Sequence, residues 1–346
     1  MKKQNTATNK ISISSGMDKY VLPMIVASVI LVVVPMFTQS AYILTLGSLI
    51  LIYSILAISV DLLSCMGLTS LGHAGFFAFA AYGVGNLTVK QGLSAELAVL
   101  ITIFLTVLLA MLFGFLTNKV WGNTYLMVNL ALGQSIWGLA FRLDVITMGE
   151  VGLIGIKRPT WFGINFSNNV TFYYFLFIVF ILVFFFVYRF MESPFGITVR
   201  GIKQSSKRMS ALGYGIYKHK FITYVISGTL AGIAGILFCF FFRIVTPTNA
   251  HSVTSSKAFL MSLVGGSGTL IGAVIGATAV VLLENFVSAF TERWLSILGA
   301  LYVITVMFSP RGVMGTYSMI RARLSERKNV DKGSENTVSA GGDKNE

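Results

Sequence analysis

Charge is what this 346-residue sequence has least of: 11% of its residues are Asp, Glu, Lys or Arg, and only 13 are acidic. Soluble domains carry about a quarter charged residues, so this scarcity excludes a chain folded wholly in water. There are two cysteines and three histidines, with no C-x-x-C and no H-E-x-x-H. A metal site therefore lacks its usual ligand spacing, and neither metal nor cofactor is expected. The phosphate-cradling pattern G-x-x-x-x-G-K-[ST] is also missing, so any ATP-driven work must come from another chain.

What is present is apolar: 55% of the residues are hydrophobic. A membrane-spanning helix needs about 20 mostly apolar residues. Runs of that kind cover 20–38, 41–63, 95–117, 122–142, 171–190, 221–243 and 269–290, and three shorter or glycine-rich runs cover 70–89, 256–268 and 294–309. The expected fold is all-α, a polytopic membrane protein of about ten transmembrane helices, some of them short and glycine-broken. The run from Tyr20 is too long for a signal-peptide core and has no A-x-A-like cleavage site after it, so it reads as a retained helix. Residues 1–19 form an N-terminal segment, 20–315 the transmembrane domain, and 316–346 a polar tail.

Cations fix the orientation. With the N-terminus inside, 19 of the 26 Lys and Arg residues fall on the cytoplasmic side and 7 outside, Lys257 among the latter. That asymmetry is the one membrane insertion imposes, and it leaves both termini cytoplasmic. It also accounts for the net charge of +13 without nucleic acid. Cys65 and Cys239 fall on opposite faces in this scheme, too far apart to be bridged. Asp61 sits near the cytoplasmic end of its helix, where solvation is easy, and is given no role.

The densest basic stretch is the connection 191–219. From Arg189 to Lys220 there are seven Lys and Arg residues and one acid, Glu192. Val199, Ile202, Ser206 and Met209 recur at helical spacing, with Arg200, Lys203 and Lys207 on a second stripe. One short amphipathic helix at the membrane surface is expected, offering a face to a partner.

Two glycine-rich blocks stand out. Ser70-Leu-Gly-His-Ala-Gly gives a helix side almost without side chains, suited either to close packing or to a broken helix beside a path. His73 fits a structural hydrogen bond better than a substrate contact. In Leu263-Val-Gly-Gly-Ser-Gly-Thr, Gly265, Gly266 and Gly268 interrupt a helix, and Gly272 and Gly276 continue a small-residue stripe. Short glycine-broken segments in the two halves of a transporter point to its central pathway. The Gly-Gly-Ser-Gly run also fits the nucleophile pattern of rhomboid-type proteases. There the catalytic His follows the Ser, whereas His73, His219 and His251 all precede Ser267. Asn129, Gln134, Glu284 and Asn285 are costly in lipid and should face the bundle interior. The central positions otherwise offer few ionisable groups, which disfavours a stand-alone secondary transporter.

In four blocks the sequence resembles the LivM-type permease subunits of branched-chain amino-acid ABC importers. They are Ser70-Leu-Gly-His-Ala-Gly-Phe-Phe, Ser193-Pro-Phe-Gly with Ala211-Leu-Gly-Tyr, Gly265-Gly-Ser-Gly-Thr-Leu-Ile-Gly, and Ser309-Pro-Arg-Gly. Leu130-Ala-Leu-Gly-Gln134 is a weaker fifth. The likeness spans about residues 41–315. It implies a non-catalytic subunit in a bacterial cytoplasmic (plasma or inner) membrane. The implied partners are two ATP-binding cassette subunits, a second homologous permease subunit and an extracytoplasmic substrate-binding protein. It further implies that Pro194, Phe195, Gly196, Arg200, Lys203, Lys207, Arg208, Ala211, Leu212 and Gly213 form the coupling segment docked on an ATPase. Ser70, Gly72, His73, Gly75, Gln134, Gly265, Gly266, Ser267, Gly268 and Thr269 would line the path. The same architecture carrying urea, an amide or a nucleoside is the alternative. Lys207 and Arg208 stand where the family often has an acid before Ala-Leu-Gly.

Overall fold

A computed structural model describes residues 41–161, 164–291, 293–308 and 312. The expected helix 20–38 and tail 316–346 lie outside the described residues. Each of the other nine apolar runs is helical: α1 (Ala41–Ser64), α2 (His73–Val89), α3 (Ala95–Thr117), α4 (Gly122–Arg142), α5 (Asn169–Glu192), α8 (Ile216–Phe242), α9 (Ser252–Gly265), α10 (Leu270–Ser288) and α11 (Trp294–Phe308). Between α5 and α8 lie α6 (Pro194–Gln204) and α7 (Ser206–Ala211). Among the described residues, α1, α3, α5, α8 and α10 are long and apolar enough to cross a bilayer. This is a helical, multi-pass membrane protein.

A bundle in lipid gains little from hiding apolar surface, so packing and hydrogen bonds hold it together. Two-thirds of the most apolar window of α1 and of α8 is buried, against 28% for α3. α1 and α8 are therefore the central posts, and α3 turns Leu100, Phe104 and Phe115 outward. Small residues let α8 sit close to its neighbours. A side chain at Gly235 would strike the Phe77 carbonyl of α2, and one at Gly232 would strike Thr106 of α3. Hydroxyls inside the bundle bond back to their own helices, as Ser48 does to the Leu44 carbonyl at 2.7 Å and Thr106 to that of Thr102 at 2.7 Å. Those two hydroxyls are thereby paired inside their own helices. Phe76 packs on Phe113 and Tyr224, and Phe77 on Phe238, filling the space around α8.

The long 143–168 connection is tied down at both ends. Strand β1 (Leu153–Ile154) pairs antiparallel with β4 (Ile244–Val245) just past α8, and β2 (Thr160–Trp161) pairs with β3 (Ile164–Asn165). Arg158 donates to Asn169 Oδ1 at 2.8 Å and lies over the Phe172 ring, fixing the start of α5.

Candidate functional site

The glycine-broken segment is a tight helical hairpin. α9 stops at Gly265; Gly266 follows at φ 120°, ψ 98° and Gly268 at φ 90°. Both lie in a left-handed region that a side chain disfavours. Thr269 closes the turn by donating its hydroxyl to the Gly266 carbonyl at 2.6 Å. Beyond the turn α9 and α10 touch backbone to backbone: a Cβ on Gly265 would meet the Gly272 carbonyl, and one on Gly276 the Met261 carbonyl. Ser267 is exposed at the tip. The three imidazoles are engaged elsewhere, with Ser227, the Gly215 carbonyl and the Val253 amide, so no histidine serves Ser267 as the base of a nucleophile.

One residue passed over in the sequence anchors this hairpin. Asp61, expected to be solvated, is fully buried. Its Oδ1 accepts from Ser262 Oγ at 2.7 Å and from the Gly268 amide at 2.7 Å. The carboxylate thus joins α1 to the helix before the break and to the turn after it. Its helix position misled: the end of α1 is covered by the hairpin.

The Ser70 block lies where α2 meets α4, α8 and α9. Ser227 Oγ gives its single proton to the Ser59 carbonyl at 2.6 Å, so His73 Nε2 must donate to Ser227 across their 2.7 Å contact. That leaves His73 Nδ1 as a buried acceptor without a partner. The Ala74 amide donates to Ser255 Oγ at 2.9 Å, so α9 caps the start of α2. Gly72 faces the Asn129 carbonyl and Gly75 faces Gly133, both on α4. Ser70, Gly72, His73, Gly75, Gly265 and Gly266 are buried in these contacts, Gln134 and Gly268 are half-buried, and Ser267 and Thr269 are exposed. Asn129 is interhelical glue, accepting from Tyr224 OH at 2.7 Å.

The basic connection is two helices, not the one expected. Ser193 caps α6, taking the Gly196 amide on its hydroxyl, with Pro194 at the first helical position. Ser205, extended at φ −162°, ends α6 and caps α7 through the Arg208 amide. α7 then closes on Gly213 at φ 85°, where Gly213 N–H reaches the Ser210 carbonyl and Tyr214 N–H that of Met209. This paired bonding is the left-handed cap that favours glycine. Val199 and Ile202 are buried, pinning α6 to the bundle. Arg200 turns inward to the Met191 carbonyl at 2.8 Å and to Glu192 at 3.5 Å. Lys203 lays its stem along Gly67 and its ammonium beside Gly268. Lys207, Arg208, Ala211, Leu212 and Gly213 are exposed, with Leu212 72% and Tyr217 55% accessible.

Two lysines assigned to loops belong to the bundle. Lys257, counted as external, is buried one turn into α9, pairs with Glu284 of α10, and sits 4.0 Å from the Tyr53 ring centroid. The scarcity of central charge expected above is thereby corrected: an acid and a base lie there, neutralising each other. Lys220, counted in the basic connection, is buried inside α8. It donates to the carbonyls of Thr117, Asn118 and Val120 and stacks against Trp121 and Tyr125. An opposite-charge pair on adjacent spans was the available signal for Lys257; for Lys220 there was none.

A family model described as "Branched-chain amino acid transport system / permease component" matches residues 42–307. The High-affinity branched-chain amino acid transport system permease protein LivM of Escherichia coli K12 is 25% identical over 333 residues, covering 89% of this chain and 78% of the relative. BraD of Pseudomonas aeruginosa, another high-affinity branched-chain amino acid transport system permease protein, is 22% identical and covers 79% and 93%. LivH of Escherichia coli K12 is 29% identical over 125 residues, 36% of this chain and 40% of the relative. No solved structure matches the chain.

Proposed function

We propose, from the premise that this chain belongs to the branched-chain amino acid transport permease family, that it forms half of the translocation path of an ABC importer for branched-chain amino acids. In this reading the chain crosses a bacterial cytoplasmic membrane about ten times with both termini inside. The orientation rests on the cation asymmetry. Residues 191–219 then lie in the cytoplasm, and 143–168 outside with the strand pairs. A second, homologous permease subunit completes the path, two ATP-binding cassette subunits supply the energy, and an extracytoplasmic binding protein delivers the solute. This chain does no chemistry of its own.

The observation that carries the reading is the surface of α6 and α7. α6 is bolted to the bundle by Val199 and Ile202, while α7 presents Arg208 outward and Leu212 and the glycine cap follow it, also exposed. Leu212, Tyr214 and Tyr217 are exposed together just past this basic helix, the kind of apolar patch a docking partner covers. ATP-driven motion of a partner held there would reach the bundle through a rigid lever. We place the path along the hairpin tip, with Gly268 and Thr269 on it; Gln134 lies beside the sealed Ser70 block.

The test is uptake by proteoliposomes holding the whole complex, with binding protein and ATP. Labelled leucine, isoleucine or valine should accumulate, and unlabelled urea, acetamide or adenosine should not compete. Competition by one of those three moves the substrate class. Accumulation by the purified chain alone refutes the ABC reading.

A further inference from the structure

We propose that Asp61 is the positioning residue through which the basic helix α6 acts on the glycine-broken hairpin, with Lys203 as its electrostatic counterpart. The proposal rests on the ABC-importer reading for its purpose, but its geometry stands apart from that reading.

Three observations meet at this carboxylate. First, Oδ1 straddles the break: Ser262 lies on α9 before it, Gly268 in the turn after it, and both donate at 2.7 Å. Moving Asp61 therefore moves the turn relative to α9. Second, Oδ2 is buried with no hydrogen-bond partner. A buried carboxylate oxygen left alone is costly, and a nearby cation is the group that best relieves it. Third, the cation is in place. Among the described residues, Lys203 is the charged side chain whose field bears on Asp61. Its Cγ would be 3.3 Å from a Cβ at Gly67, and its Nζ 3.0 Å from one at Gly268. The two do not form an ion pair within 4 Å; among the described residues those pairs are Arg200–Glu192 and Lys257–Glu284.

The parts fit as a latch with a short throw. α6 cannot slide freely, because Val199 and Ile202 are buried and Arg200 is tied to the end of α5. A push on α7 from outside therefore tilts α6, and Lys203 at its C-terminal end travels furthest. Toward the bundle, its ammonium closes on Oδ2. The carboxylate is then drawn toward α6 and takes the Gly268 amide with it. The turn can follow because Gly266 and Gly268 hold conformations that place no side chain in the way. Away from the bundle, the attraction weakens and the turn relaxes onto α9. Gly67, at φ 78° under the Lys203 stem, keeps the lysine close: a side chain there would lift it off.

Asp61→Asn is the informative change, since it keeps the Oδ1 acceptor for Ser262 and Gly268 but removes the charge. Lys203→Met removes the other charge from an exposed side chain, so it should fold even if the first does not. In the reconstituted complex each single change should raise ATP hydrolysed per solute imported by roughly tenfold, the worth of one charge-assisted contact. The double variant should be no worse than either single one, because the second charge has then lost its object. Multiplying losses overturn the pairing. A readout independent of transport uses spin labels at Lys207 and Ser267, in the full chain in nanodiscs. The distance distribution should be narrow in the parent and broadened by either change; distributions that do not alter overturn the proposal. A parent complex that hydrolyses ATP but imports nothing refutes the importer reading, and the distance measurement still decides this one.

Discussion

At Lys220 an ammonium takes the place of the water that the carbonyls around the end of α3 would otherwise need. Helix ends leave their final carbonyls without intrahelical partners, and cations suit that end of the helix dipole. Lys220 meets the last carbonyl of α3, that of Thr117, and those of Asn118 and Val120 just beyond it, while its stem is buried. Lys220→Met keeps the volume and loses those bonds, so it should destabilise the bundle by about 1.5–3 kcal/mol, the range for hydrogen bonds to a charged group. A lower midpoint of thermal unfolding in detergent would show it; an unchanged midpoint would mean that water fills the gap. Single charges were the least legible part of the sequence. Asp61, Lys220 and Lys257 each fall within a few residues of a span's end, where hydropathy does not distinguish solvated from enclosed. What decides is a neighbour far along the chain: Gly268 for Asp61, Thr117 for Lys220 and Glu284 for Lys257.

Elements were read more readily, because spans repeat one physical requirement over twenty residues. The interruption at 265–268 was visible in the glycines themselves, and the backbone there takes the conformations glycine permits. The split of the basic helix was not visible. Ser206 fits the amphipathic spacing, yet serine also caps, and at Ser205 before it the cap prevails because its hydroxyl can take the Arg208 amide. The hairpin yields a prediction of its own. Gly266→Leu forces a side chain onto φ 120° in a buried turn, a strain of about 1–3 kcal/mol. The helices should still form, since the change adds nothing inside α9 or α10, but the turn would shift off Asp61. Uptake should fall to background while membrane yield and circular dichroism hold. Wild-type uptake kinetics would reduce the segment to mere packing.

Across the whole molecule, apolar surface is distributed by destination. α3 and α5 expose Phe104, Leu112, Leu182 and Phe185 along helices long enough to span, and lipid can cover those faces. Leu212, Tyr214 and Tyr217 are different. They lie around the Gly213 cap, from the end of α7 to the first turn of α8, near Lys207 and Arg208 in the chain, where lipid tails do not reach in the orientation the cations favour. Basic residues around a few large exposed side chains match the anatomy of an interface, in which few anchors carry most of the binding energy. Leu212→Asp should therefore weaken binding of the ATP-binding cassette subunit by roughly tenfold or more, about 1.4 kcal/mol or above. Nothing in the bundle packs on Leu212 strongly enough to hide it, so thermal stability should hold. Titration of the ATPase onto nanodisc-held protein measures this directly. Unchanged affinity, with uptake intact, would move the docking surface off α7 and leave its exposed leucine unexplained.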